Sequence, residues 1–388
     1  DLNTKLTVTV TGALAGYTTA SVTSAATATV ASGAFSTATP VVNGTMQVGN
    51  MLTALPGTWT PAPAFGYQWY RDGVAISGAT ASTYTLVAAD QGTKVTVVVT
   101  GTASGYASTS VSSVAGSAVA AGVFTTVVPT ISGTAVVRGT LVADAGTWTP
   151  AAGFTYSWLR GGTVISGATN ATYVVTTADL GARLSVKVAG TKSGYTAATV
   201  TSASTAAVAA GAFTATPAPT LSGTAAVGST LTASAGTWTP TPASFTSAWY
   251  RAGAAISGAT ASTYTLAAAD YGHAVTVKAT AHLTGYADTT TTSAGASVQL
   301  GTFTSVGAVS VSGSLAVGQT LPAASAASVP AADAVGYQWY RGSTAISGAT
   351  SASYLVALAD LGTTLKVVAI AAKAGYTTGT ASWMAASA

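Results

Sequence analysis

All nine carboxylates of the 388-residue sequence are aspartates, and four of them, Asp90, Asp179, Asp270 and Asp360, each stand two residues before a glycine. Acidic side chains at a repeated position could serve acid–base chemistry or bind calcium. Calcium needs six or more oxygens with several carboxylates converging, and no Asp-rich linker of that kind is present. An aspartate before glycine in a tight corner ordinarily hydrogen-bonds its own backbone, and that role is expected here. The two histidines, His273 and His282, fall at opposite ends of one expected strand. Nine residues at about 3.3 Å each put them roughly 30 Å apart, too far to share a metal. No G-x-S-x-G elbow, H-E-x-x-H motif, phosphate loop or dinucleotide fingerprint occurs. Serine is plentiful, but no histidine recurs to activate it. No catalytic residue, metal site or cofactor is expected, and the chain does not read as an enzyme.

Four arginines, Arg71, Arg160, Arg251 and Arg341, follow a Trp-Tyr or Trp-Leu pair. Each could hold a carboxylate or glycan or stack on an aromatic ring, and the simpler reading is that it closes a strand end against solvent or a neighbouring Asp. Lys94 and Lys187 lie on different strand faces, and Asn3, Asn43, Asn50 and Asn170 do not recur in register, which disfavours an isopeptide crosslink in every unit. Asn43-Gly44-Thr45 and Asn170-Ala171-Thr172 read as glycosylation sequons.

A second tryptophan, Trp59, Trp148 and Trp238, sits in a G-T-W-T-P segment seven residues after Leu52, Leu141 and Leu231, and the fourth copy of that position is Ser328. A residue lost from a terminal unit suggests a contact at the junction between units. Core packing and ligand binding are the other readings.

The elements that position these residues follow from self-comparison. The phrase YQWYRDGVAISGATASTYTL at Tyr67 returns at Tyr156, Ser247 and Tyr337, and its tryptophans, Trp69, Trp158, Trp249 and Trp339, stand 89, 91 and 90 residues apart. Phe35, Phe124, Phe213 and Phe303 open the units, and Gly16, Gly105, Gly194, Gly285 and Gly375 each precede a tyrosine near a unit's end. The spacing predicts complete units at 33–121, 122–210, 211–300 and 301–388. An N-terminal remnant, 1–32, matches only the last third of a unit, with LTVTVTGALAGY corresponding to VTVVVTGTASGY at Val95.

Within a unit the apolar period is two. Val95, Val97 and Val99 face one way and Thr96 and Val98 the other, as in an antiparallel sheet with one buried face. Asp72-Gly73 supplies a hairpin turn. Seven or so short strands per unit are the content of an immunoglobulin-like sandwich, so the fold is all-β, a series of such sandwiches arranged as a rod. The short links, such as Ala118 to Phe124, leave little room for free tumbling, and each unit should add about 35 to 40 Å.

The ordered set of G-T-W, W-Y-R-x-G, I-S-G-A-T, T-Y-T-L and A-D-x-G resembles the bacterial immunoglobulin-like repeats of actinobacterial surface and secreted proteins, over nearly the whole chain. That resemblance implies stalks, adhesins, wall-associated fibres, appendages of secreted enzymes or decorations of phage particles. The sequence departs from antibody-type domains in having no cysteine pair against Trp69 and Lys94 where their corner tyrosine would stand.

Composition agrees. Only 6% of residues are charged, 48% are hydrophobic and glutamate is absent, which argues against disorder and against a helical protein. The net charge of +4 is spread too thinly for nucleic acid. Without cysteine no disulfide or thiolate site is possible. No apolar run is long enough to span a membrane. The expectation is an extracellular structural spacer, stalk or fibre, read as a mature or internal portion of its protein. The alternatives are an adhesin for a cell-wall glycan or host surface, and a phage tail or capsid appendage. Neighbouring copies or upstream domains are the expected partners. Leu6, Val8 and Val10 of the remnant are the expected assembly strand, buried against a second chain if that chain donates the missing strands.

Overall fold

A computed structural model describes residues 1–385; positions 386–388, the last three of the fourth repeat, lie outside the described residues. The chain forms two compact units, Asp1–Ala209 and Ala210–Ala388.

The first unit opens with a hairpin of β1 (Thr9–Gly12) and β2 (Ala20–Thr23), paired from Thr9 with Thr23 to Gly12 with Ala20. Backbone bonds from Ser24 to Val8, Thr27 to Leu6 and Val30 to Thr4 extend its ladder. Two facing sheets follow. β3 (Val41–Asn43), β4 (Met51–Leu55) and β7 (Thr83–Thr85) form one, in the order β3-β4-β7. β5 (Ala64–Arg71), β6 (Val74–Ala75), β8 (Val95–Thr102) and β9 (Thr109–Ser112) form the other, in the order β6-β5-β8-β9. Neighbouring strands are antiparallel throughout. First, second and fifth strands against fourth, third, sixth and seventh is the arrangement of an immunoglobulin-like sandwich.

Alternation decides which side chains meet between the sheets. Leu52 and Ala54 from β4, Trp69 from β5 and Val95, Val97 and Val99 from β8 are buried together, while Thr96 and Val98 lie on the outer face, where burial is only partial. The β5–β6 turn needs positive φ at both central residues, and Asp72 (44°) and Gly73 (82°) supply it. The same pair of sheets recurs once more in this unit, built from Thr130–Ser132, Thr140–Asp144 and Thr172–Val174 against Gly153–Arg160, Thr163–Val164, Leu184–Thr191 and Ala198–Thr201.

The second unit holds two further copies. Its long central pairs are Ser244–Arg251 with Ala274–His282 and Ala334–Arg341 with Leu365–Ala372. Trp249 and Trp339 occupy the place of Trp69, each fully buried. Among the described residues the helical content is four single 3-10 turns, each ending on one of the corner aspartates, and no helix is long and apolar enough to cross a membrane.

Candidate functional site: the corner network and the repeat junction

The D-x-G corner is a closed network in every repeat. The Oδ1 of Asp90 accepts from the Arg71 guanidinium at 2.6–2.7 Å, and its Oδ2 accepts from the Tyr84 hydroxyl (3.0 Å) and the Val87 amide (2.7 Å). Asp179 does the same with Arg160, Tyr173 and Thr176. Asp270 pairs with Arg251, Tyr264 and Ala267, and Asp360 with Arg341, Tyr354 and Ala357. Both oxygens of each buried carboxylate are therefore occupied. They are built to lock the end of the central strand onto the corner. The expected backbone bond is present, and of the partners considered for the arginine it is Asp that it meets. The tyrosine was not singled out in the sequence, although it stands six residues before the Asp in all four copies.

Electrostatics follow from this packing. Burial pushes the carboxyls of Asp179 and Asp360 up. The amides and hydroxyls donating to them, together with Arg160 and Arg341, outweigh it and hold both below the usual carboxylate value. Burial raises the four corner tyrosines, and their bonds to Asp raise them further. A carboxylate with a depressed folded pKa contributes stability that is present above its unfolded value and lost as pH falls through the folded one. A tyrosine with a raised pKa contributes below its unfolded value and loses that contribution as pH rises through the folded one. Calorimetry should therefore show the second and fourth repeats unchanged from pH 7 to about 4 and from 7 to about 10, with losses outside that window. A decline already under way at pH 6 would contradict the network.

The histidines do not converge. His282 bonds Asp288 through Nδ1 (2.9 Å) and Thr246 through Nε2 (3.0 Å), and His273 precedes the strand that His282 ends. Among the described residues no three His, Cys, Asp or Glu side chains stand together as metal ligands would.

Trp59, Trp148 and Trp238 are buried within their own repeats. Trp59 donates Nε1–H to the Pro56 carbonyl (3.1 Å), meets Phe65 edge-on at 5.4 Å and Phe35 at 5.9 Å, and lies on Gly101, where a Cβ would come within 2.5 Å of the ring. Trp148 and Trp238 keep the same Phe partners and the equivalent bond, to Ala145 and Ala235. In the fourth repeat Ser328 is equally buried, its Oγ accepts from the Gly307 amide (3.0 Å), and the backbone at Gly307 closes onto Ala326. Each of these indoles closes the end of its own core, and a further aromatic layer covers it.

That outer layer is the tyrosine after the recurrent glycine. Phe124 contacts Tyr195 at 5.3 Å, and Phe303 contacts Tyr376 at 5.7 Å. Each Gly-Tyr tip is pinned by two backbone bonds to the glycine that opens its repeat, Gly122 to Gly194 and Thr196 to Gly122 in one case, Gly301 to Gly375 and Thr377 to Gly301 in the other. In the first unit Tyr195 reaches back to the preceding repeat and packs against the core that contains Val48 and Leu52. Its hydroxyl fills the space a Cβ on Gly49 would need, and Gly194 lies so close to Ala88 that a Cβ there would stand 2.6 Å from the Ala88 Cα. In the second unit Tyr376 lies against Gly228 and the core around Val227, and Gly375 against Ala268. A positive φ at Gly194 (78°) and Gly375 (75°) shapes the tip, so glycine is required twice, for conformation and for approach.

Leu6, Val8 and Val10 stand where Val95, Val97 and Val99 stand in the first complete repeat. The latter are fully buried, whereas Val8 is 61% exposed, and no described residue covers this face. The Val8 amide bonds the Ser24 hydroxyl as the Val97 amide bonds that of Ser113, so the strand pair has native register without a facing sheet.

Fold and junction together define a chain of tandem immunoglobulin-like sandwiches. No family model and no curated protein matches it. Among solved structures it is similar to a Ca2+-stabilized adhesin that helps an Antarctic bacterium reach out and bind ice, at 15% identity over 91% of this chain and 99% of that one (TM-score 0.31). It is also similar to the D1–D4 ectodomain fragment of ICAM-5, at 17% over 87% and 95% (TM-score 0.32). A third is the three N-terminal domains of the bacteriophage RB49 highly immunogenic outer capsid protein, at 18% over 67% and 98% (TM-score 0.24).

Proposed function

We propose that the chain is an extracellular spacer, a stalk or fibre segment of four sandwich domains (33–121, 122–210, 211–300 and 301–388) with a partial domain before them, and no catalytic role. One observation supports this above the others. The Gly-Tyr tip of one repeat is seated in the preceding repeat, next to the link that joins them. A junction closed by a ring, a buried glycine contact and a short linker resists bending, which is what a spacer requires and an enzyme does not. The Arg-Asp-Tyr corners serve the same end, since they fasten each repeat internally with side chains few in number and already satisfied.

Absence of cysteine makes the test direct, because spin labels attach only where cysteine is introduced. Labels at the exposed positions Val74 and Val164 report on the first two complete repeats. Pulsed dipolar spectroscopy on the full chain should give one narrow distance distribution, broadened severalfold by Tyr195→Ala. A broad distribution in the unaltered chain would mean freely tumbling beads and would sink the spacer reading. In the partial domain, Val8→Asp should abolish any fibres that depend on strands donated to Leu6, Val8 and Val10, while the four complete repeats remain folded.

A further inference from the structure

The outer face of the four-stranded sheet differs between repeats, and in the third it carries a groove. On the pair Ser244–Arg251 and Ala274–His282 the outward side chains meet as Tyr250 with Thr276, Ala248 with Lys278 and Thr246 with Thr280. Thr290, on Thr289–Thr292, stands opposite Thr280. Together they line a depression of about 390 Å³. Its openness follows from Ala248. Gln68 in the first complete repeat and Gln338 in the fourth occupy the same place. Each glutamine donates its amide to the carbonyl of the next tryptophan (2.9 Å) and to that of Ile76 (2.8 Å) or Ile346 (2.9 Å). The corresponding carbonyls of the third repeat, Trp249 and Ile256, accept one backbone amide each, and no described side chain donates to them. A carbonyl has two lone pairs, so both keep an acceptor position where a glutamine would lie.

The cation beside this opening is held in place. Lys278 Nζ lies 4.4 Å from the centroid of the Tyr250 ring, a cation–π contact that fixes the ammonium before any ligand arrives. No described carboxylate pairs with it, since the ion pairs of this repeat are Arg251 with Asp270 and His282 with Asp288. The hydroxyls are placed as well: those of Thr280 and Thr290 share a hydrogen bond of 2.8 Å, and that of Thr246 meets His282 Nε2 at 3.0 Å. Each hydroxyl retains hydrogen-bonding capacity beyond that one contact. The second repeat also has a short side chain at this place, Ser157 opposite Lys187, but Leu159 stands where the tyrosine would hold the ammonium.

We infer that this groove binds the carboxylate-bearing sugars of an acidic polysaccharide. The Lys278 ammonium takes the carboxylate, a charge-assisted contact. The threonine hydroxyls and the acceptor positions of Trp249 and Ile256 take the sugar hydroxyls, which both donate and accept. Nucleic acid calls for clustered cations, and a protein partner for apolar or aromatic area; the groove offers one cation over one ring, among hydroxyls. From Tyr250 to Thr246 the strand rises about 13 Å at about 3.3 Å per residue, the length of a short oligosaccharide. The inference goes beyond the spacer reading and does not depend on it, because that reading is tested on the first two complete repeats and this one on the third.

Isothermal titration of the full chain with trigalacturonate at roughly millimolar concentrations should show saturable binding, and neutral maltotriose should bind about tenfold more weakly or not at all. Lys278→Met should weaken trigalacturonate binding by about tenfold or more. Ala248→Gln, which installs the side chain that the first and fourth repeats already accommodate, should do the same with unchanged melting. Lys187→Met should leave binding as it was. Absence of saturable binding overturns the inference and leaves the spin-label result standing. Equal binding of maltotriose overturns it too, as does a loss from Lys187→Met as large as that from Lys278→Met, which would mean a general attraction to surface cations. An Asp-rich peptide that binds as well as trigalacturonate would assign the groove to an acidic protein partner instead.

Discussion

Replacing Trp69 by alanine should destabilise the first complete repeat by about 3 to 5 kcal/mol, the range for removing a large aromatic side chain from a packed core. The indole is fully buried, stacks on Tyr84 at 5.8 Å and lies opposite Val97 across the central strand pair. Its Nε1–H donates to the Ala81 carbonyl at 2.9 Å, so truncation leaves a cavity and also takes away that carbonyl's donor. A repeat of about 90 residues has a stability of only about 5 to 15 kcal/mol, and loss on this scale should split one transition from the rest. Calorimetry of the full chain should show an early endotherm of single-repeat size. A melting profile superimposable on that of the unaltered protein would mean that the core has been misplaced.

Asp90→Ala should be nearly as costly, at about 3 kcal/mol or more, because removing one partner of a buried pair leaves the others unsatisfied. Arg71, Tyr84 and the Val87 amide would all lose their acceptor at once. Arg71→Met should cost less, about 1 to 2 kcal/mol. The arginine keeps access to solvent, with 29% of its side chain exposed, and Asp90 would retain two donors in its absence. The order of the two effects, read from denaturant midpoints, separates a network centred on the carboxylate from a simple surface ion pair. In a surface pair the two substitutions would be equal and worth less than about 1 kcal/mol.

Much of this organisation is legible in the residues themselves. Alternation at Val95, Val97 and Val99 fixes which side of a strand is buried, because successive side chains must point to opposite faces. Asp72-Gly73 announces its turn because few residue pairs tolerate positive φ twice. The recurring tryptophans announce the repeat. Periodicity assigns faces, however, and says little about the ends of a sandwich, where loops from distant positions meet.

That is why the loss of the second tryptophan in the last repeat pointed to a junction. In the structure Trp59 closes its own core, and the fourth repeat accommodates Ser328 by drawing backbone inward at Gly307. The Gly-Tyr pair was visible as a landmark, but its role was not, since the contact of Tyr195 with Gly49 joins positions 146 residues apart. The partnership of Asp90 with Tyr84 had a local signal, a constant spacing of six residues, and that spacing alone does not say that a strand end and a corner turn face each other. The sequence by itself determined the repeat, the strand faces and the turns, because each depends on a few consecutive residues and their conformational limits. The tertiary structure alone decided which aromatic closes a core and which reaches the preceding repeat, because both depend on where separate loops are brought together by the pairing of the sheets.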